Sequence, residues 1–166
     1  GLAIARGQWL AIQMTSDKYT PGALGWFADY VGRHPALAWI AGGSDEWPTI
    51  RRIPLTLDDA VRFQVGFIIG TWMDRQIAQE VGVDPRWPLD HLPFALTVVL
   101  EAFRRGRPCH TVDHTVCWYR HHDQNSFQRD KVETHRQTYE ARRELARRYS
   151  DILNAEQQVI LHSRIF

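Results

Sequence analysis

Apolar residues along the chain fall into short blocks separated by Gly, Pro and polar clusters, the rhythm of strands alternating with helices. Trp9-Leu10-Ala11-Ile12-Gln13-Met14 is an apolar run between Gly7 and polar Thr15-Ser16-Asp17-Lys18, which predicts a buried strand ending in a loop. Thr20-Pro21 predicts a helix start, with Thr20 as N-cap and Pro21 at the first helical position, where its missing N–H does no harm. Leu24, Phe27, Ala28 and Val31 fall at helical spacing on one face, and Gly32 to Pro35 ends the run. Ala36 to Ala41 predicts a second strand, stopped by Gly42-Gly43. Strand, helix and strand in this order predict a βαβ unit and a sheet that is at least partly parallel.

The second half continues the pattern. Trp47 to Leu55 reads as loop or edge strand because Pro48 and Pro54 interrupt it, and Asp58 to Gln64 as one or two helical turns. Phe67-Ile68-Ile69 predicts a buried strand, and Met73 to Val81 a short helix stopping at Gly82. His91 to Arg105 predicts a longer helix that buries Phe94, Leu96, Val98, Val99, Leu100 and Phe103, with Gly106 closing it. Thr111 to Tyr119 is β-branched or aromatic at alternate positions and predicts a strand. A polar link, His121 to Asn125, leads to a charged helix from Phe127 to about Tyr149, and the last residues form one more helix.

Composition narrows the class. A length of 166 residues with 44% hydrophobic and 23% charged content suits one globular core and argues against disorder. A net charge of +1 gives no pull toward nucleic acid, so none is expected as a partner. Two cysteines, Cys109 and Cys117, are expected to be free thiols in a reducing compartment. No apolar run approaches the roughly 18 residues a membrane span needs. The opening Gly1-Leu2-Ala3-Ile4-Ala5 carries no signal-peptide pattern and reads as the middle of an element, so a truncated domain is expected.

Chemistry-bearing residues are few. Asp17 sits in a loop between a strand and a helix, where an open α/β sheet binds its ligands, although a turn aspartate would look the same. Asp90 is placed as an N-cap, with Pro93 in the first turn; a cap carboxylate at a cleft can also act as a base. His110, Asp113, His114, His121, His122 and Asp123 form the densest metal-like cluster. A single strand cannot wrap four such ligands around one ion, so most are expected to be structural or exposed. Arg120 and His122 share a face at the strand's end and could hold a diphosphate. Arg142, Arg143, Arg147 and Arg148, interleaved with Glu140 and Glu144, read as a solvated helix face.

Three stretches together resemble the large inverting family 2 of glycosyltransferases. Its members carry Ala-x-Gly-x-(aromatic)-(aliphatic)-Ala, two strand residues, then Asp-Ser-Asp-Asp-x-x-x-Pro and a leucine three positions on. The chain reads Ala5-Arg6-Gly7-Gln8-Trp9-Leu10-Ala11-Ile12-Gln13-Met14-Thr15-Ser16-Asp17-Lys18-Tyr19-Thr20-Pro21-Gly22-Ala23-Leu24 without a gap. The family's acidic pair heading a helix that ends in Arg-x-Gly is met by Leu89-Asp90-His91 and Arg104-Arg105-Gly106. Its Tyr-Arg-x-His strand end followed by a serine is met by Tyr119-Arg120-His121-His122 and Asn125-Ser126. Met14 and Ser16 replace two carboxylates of the Asp-x-Asp element, and Leu89 stands where a glutamate is common.

The resemblance implies a truncated GT-A (Rossmann-like) fold: a mixed, mostly parallel sheet flanked by helices. Residues 1–126 would be the C-terminal part of the catalytic domain and residues 127–166 a helical extension with a long C-terminal helix. It implies a cytoplasmic enzyme of cell-surface glycan or polysaccharide synthesis, at the inner membrane face if its amphipathic helix rests there. The partners implied are a nucleotide-sugar donor and a glycan or lipid-linked acceptor. Asp90 would be the catalytic base, while Asp17, Arg120 and His122 would hold the donor diphosphate. Gly70, Thr71, Trp72 and His91 would line the acceptor pocket. A divalent cation (Mg or Mn) would rest on Asp17 and His122; the Asp-x-Asp element is degenerate, and the thioether of Met14 is a poor ligand for a hard ion. Two other readings compete: a metal-dependent phosphohydrolase built on His121-His122-Asp123, and a non-catalytic α/β interaction module whose charged helix docks a partner.

Overall fold

The computed structural model describes residues 2–12, 17–46, 48, 51–62, 70–87, 92–120 and 131–163. After a 3-10 turn at Leu2–Ile4 the elements in chain order are β1 (Trp9–Ala11), β2 (Lys18–Tyr19), α1 (Ala23–Arg33), β3 (Trp39–Ser44), α2 (Leu57–Val61), β4 (Thr71–Asp74), α3 (Arg75–Val81), α4 (Leu92–Arg104), β5 (Cys109–Trp118), α5 (Lys131–Arg148) and α6 (Ala155–His162). The protein is a mixed α/β fold on a five-stranded sheet of order β1-β4-β3-β5-β2. Among the described strands only β3 and β5 pair parallel; β1–β4, β3–β4 and β2–β5 are antiparallel. The sheet is mixed, as expected, but its described pairings are mostly antiparallel rather than mostly parallel. β1 and β3 do run the same way around α1, but β4 lies between them, so the predicted βαβ unit is a crossover that skips one strand.

Side chains of the central strands alternate between the two faces, as the period of two requires. Trp39, Ala41 and Met73 join one apolar cluster, while Ile40 and Trp72 join the other. The first cluster packs under α4 and the helices around it, with Leu96, Leu100, Leu145, Tyr149 and Leu161 nearly or fully buried. The second is covered by α1, which buries Ala23, Phe27 and Tyr30. Three layers result, with the sheet in the middle.

Several sequence expectations shift by a few residues for physical reasons. Thr20 does not cap α1; its carbonyl accepts the Ala23 amide across Pro21-Gly22, and Gly22 has φ 81° and ψ −9°, a type II turn. The Thr20 hydroxyl donates instead to the Thr115 carbonyl at 3.1 Å. Starting the helix at Ala23 moves its buried face, and Leu24 is 58% exposed. Gly42-Gly43 does not stop β3, which runs on to Ser44. A Cβ on Gly42 would stand 2.7 Å from both methyls of Val116 and 2.8 Å from the His114 carbonyl, so glycine is what lets β3 and β5 approach here. The stretch Thr71–Asp74, part of which reads as helix, is strand, and Asp74 begins α3 by accepting the Ile77 amide at 3.1 Å. The expected strand at Phe67-Ile68-Ile69 lies outside the described residues.

The last two helices form as expected, but the charged one is not solvated all round. On α5, Thr134, Thr138, Ala141, Leu145 and Ala146 are buried at helical spacing, and Arg142 lies among them, 4% exposed. Its Nη2 donates to the carbonyls of Val61 and Ile160 at 3.3 and 3.1 Å, and burial pulls its guanidinium down to about 10. Among the described residues no helix is long and apolar enough to cross a membrane.

Candidate functional site

Strand directions bring several element ends to one rim of the sheet. β1 and β3 are both antiparallel to β4, and β3 is parallel to β5, so the carboxyl ends of β1, β3 and β5 lie on the same side of the sheet. The amino ends of β4 and β2 lie there too. Ligands of open α/β sheets gather outside the carboxyl ends of strands. Ile12, Asp45 and Tyr119-Arg120 follow those three ends, and Asp17 leads into β2.

Two carboxylates organise this rim. Asp17, 6% exposed, accepts the Arg120 amide on Oδ1 at 3.0 Å. Asp45 accepts the Tyr119 amide on its own Oδ1 at 2.9 Å, while its backbone N–H donates to the Cys117 carbonyl at 3.2 Å. Two consecutive amides beyond β5 are thus held by acids from two other segments. The Arg120 side chain is exposed and forms no ion pair with a described residue. Asp45 is not singled out by the sequence reading. Its signal was available: it follows a strand predicted to end at the same rim as Asp17.

Burial pushes the Cys117 thiol up to about 11, and the charges of Asp17 and Asp45 add to it. Such a thiol stays protonated near neutral pH and is no nucleophile. Cys109 is raised further by burial, and both cysteines are free, as expected.

Of the expected acceptor residues, Thr71 and Trp72 face the packed interior. Thr71 and Trp72 are 0% and 2% exposed within the sheet. Trp72 stacks on Phe27 with centroids 4.4 Å apart and on Tyr19 at 5.6 Å, so its ring serves the core. Gly70 gives its carbonyl to the Gly42 amide at 2.9 Å, and a Cβ there would stand 2.9 Å from Val116. Its φ of 80° also favours glycine. His91, the fourth expected acceptor residue, lies outside the described residues.

The histidines of the metal-like cluster separate where they are described. His110 is 6% exposed, its Nδ1 bonded to the Tyr30 hydroxyl at 2.9 Å, with His34 edge-on at 5.4 Å. Burial and His34 hold His110 below its ordinary value. His114 stacks on Trp26 at 4.4 Å, and Asp113 is exposed on the other side of the strand. His121, His122, Asp123, Asp90, Met14 and Ser16 lie outside the described residues. Among the described residues no three His, Cys, Asp or Glu side chains meet as a cation would need, and one Asp17 oxygen already serves an amide.

A cavity of about 370 Å³ opens between β1's carboxyl end and the head of α4, lined by Ile12, Val83, Trp87, Phe94, Thr97 and Glu144 among others. Asp90 falls between Trp87 and Pro93, which both line it. No protein-family model matches the chain, and a search of curated proteins finds no match.

Proposed function

We propose that the chain is the C-terminal part of a nucleotide-sugar-dependent glycosyltransferase of GT-A type, transferring a sugar with inversion to an acceptor hydroxyl. The observation that carries this reading is the contact between Asp17 and Arg120, from two of the three resembling motifs, at the carboxyl rim of the sheet. A second contact in the same place, Asp45 to Tyr119, supports it. On this reading the sheet is part of a Rossmann-like GT-A sheet with β4 inserted antiparallel.

The reaction is a single in-line displacement. Asp90 takes the proton from the acceptor hydroxyl as that oxygen attacks the anomeric carbon. The bond from that carbon to the diphosphate breaks on the far side, which inverts the configuration. A positioned base of this kind contributes about 10²–10⁴-fold. The leaving nucleoside diphosphate carries growing negative charge, and Arg120 with His122 neutralises it in place. Asp17 acts through Arg120 by fixing the backbone from which that guanidinium projects.

The test uses the intact enzyme with uridine-, guanosine- and thymidine-diphosphate sugars. Transfer is expected from one donor class, and Asp90→Asn should lower it at least about 10²-fold without moving the unfolding midpoint. Near-normal turnover by Asp90→Asn removes the base, and hydrolysis or transfer from none of these donors removes the transferase reading.

A further inference from the structure

We propose that the cavity between α3, α4 and α5 is the binding site for an uncharged pyranose unit, the sugar of the acceptor glycan; as an acceptor site this rests on the transferase reading above. Its volume of about 370 Å³ lies within the range of small-molecule sites, large enough for one hexose ring with room at the mouth. The walls are apolar and partly aromatic: Ile12, Val81, Val83, Leu145, and the rings of Trp87 and Phe94. Polar groups enter from Asp84, Glu144, Arg148 and Thr97. An aromatic wall suits the C–H face of a pyranose, and carboxylate and guanidinium groups suit its hydroxyl edge.

Charge decides what the guest must be. Arg86 bonds both carboxylates, donating to Asp84 through Nε at 3.0 Å and to Glu144 through Nη1 and Nη2 at 2.8 and 2.7 Å. The positive charge of Arg148 also acts on Asp84, and with Arg86 it holds that carboxyl below its ordinary range. Among the described residues, two cations and two carboxylates therefore balance around the opening. The charges of the described residues at the opening sum to zero, so a charged guest gains no net counter-charge for the hydration it loses, which is costly in an apolar pocket. A neutral ring with hydroxyls loses little, because a carboxylate already bonded to Arg86 still has lone pairs for a hydroxyl donor.

The place also fits. Ile12 follows β1 on the same side of the sheet as Asp17 and Arg120, with β4 and β3 between β1 and the β5 end where they meet, and Pro93 and Phe94 belong to the first turn of α4. A ring seated here touches Trp87 and Pro93, which flank Asp90 in the sequence.

Titration of the protein with methyl glucopyranoside, methyl galactopyranoside and methyl mannopyranoside, followed by amide NMR shifts and tryptophan fluorescence, tests the site. At least one should perturb the resonances of Val83, Phe94 and Ala141, and Trp87→Ala should weaken it about tenfold. Val83→Trp, at a 61% exposed position on the cavity wall, should block binding without disturbing the core. Shifts confined elsewhere, unchanged affinity in both variants, or laurate occupying the cavity in preference to every glycoside would overturn the proposal. Pyranose binding here with an Asp90→Asn enzyme that still transfers would leave the sugar site standing and remove the catalytic assignment. An Asp90-dependent transferase whose cavity takes no glycoside would do the reverse.

Discussion

Asp17 Oδ1 accepts the backbone amide of Arg120 at 3.0 Å, joining residues 103 positions apart at the rim where β3 and β5 end. A carboxylate bonded to an amide makes a charge-assisted contact, and this acid is buried. Asp17→Ala should cost about 1–3 kcal/mol by urea unfolding, whereas Asp17→Asn, which keeps an acceptor oxygen, should cost less. Arg120→Ala should leave the unfolding midpoint unchanged and lower transfer by about 10²–10³-fold in the intact enzyme. Full activity in Arg120→Ala would remove the diphosphate role.

Gly42 is expected to be irreplaceable by a residue as small as alanine. Its Cβ would meet Val116 methyls at 2.7 Å and the His114 carbonyl at 2.8 Å, and the backbone contact cannot rotate away. Gly42→Ala should destabilise by about 1–3 kcal/mol, and Val116→Ala added to it should recover part but not all of the loss. Thermal melts of the two singles and the double measure the coupling. Simple additivity would show that the strands move apart instead.

Stability should have an acid limb and an alkaline limb. Burial, with His34, holds His110 below its ordinary 6.5, so the unfolded chain binds the proton first. That contribution is present above 6.5 and is lost as pH falls through the lower folded value. The groups facing His110 are Tyr30 and His34. On the alkaline side, burial pushes Tyr19 and Tyr149 up to about 12 from an ordinary 10.0. Their contribution is complete below 10.0 and is lost as pH rises through about 12. Urea midpoints measured across pH should show both limbs. The raised thiols of Cys109 and Cys117 add to the alkaline limb from 9.0 upward, so Tyr19→Phe should reduce it in part and cost little at neutral pH, since the Tyr19 hydroxyl is buried with no partner among the described residues. An alkaline limb unchanged in both Tyr19→Phe and Tyr149→Phe would assign it to other groups.

What the sequence could show divides along local and non-local lines. α4 and β5 are legible because each carries its own signal: an apolar helical face closed by Gly106 in one, β-branched alternation in the other. The start of α1 was also written locally, in Pro21-Gly22, a turn pair that outranks Thr20 as a cap. The extent of β3 was not, because two glycines read as a stop until Val116 is seen against them. Burial of Arg142 hides behind its charge, although Ala141, Leu145 and Ala146 around it mark the covered face. In the site, Asp17 and Arg120 could be paired from motif order, and the structure brings them together. Asp45 could not be paired with Tyr119 without knowing that β3 and β5 are neighbours. The stacking of Trp72 on Phe27 is not written locally, because an aromatic beside a glycine looks the same whether it faces solvent or the core.

The strand order has a consequence for the timing of folding. β1 finds its partner in residues 72–74, β2 in residues 117–118, and β3's parallel neighbour begins at Cys109. All three of β1, β2 and β3 therefore wait, backbone groups bonded only to water, until much later segments of the chain are made. Distant pairings of this kind slow the search and leave unmatched edges open to other molecules. Newly made chains should consequently lean on chaperones up to the moment β5 is synthesised, and refolding in a test tube should lose material to aggregation as concentration rises.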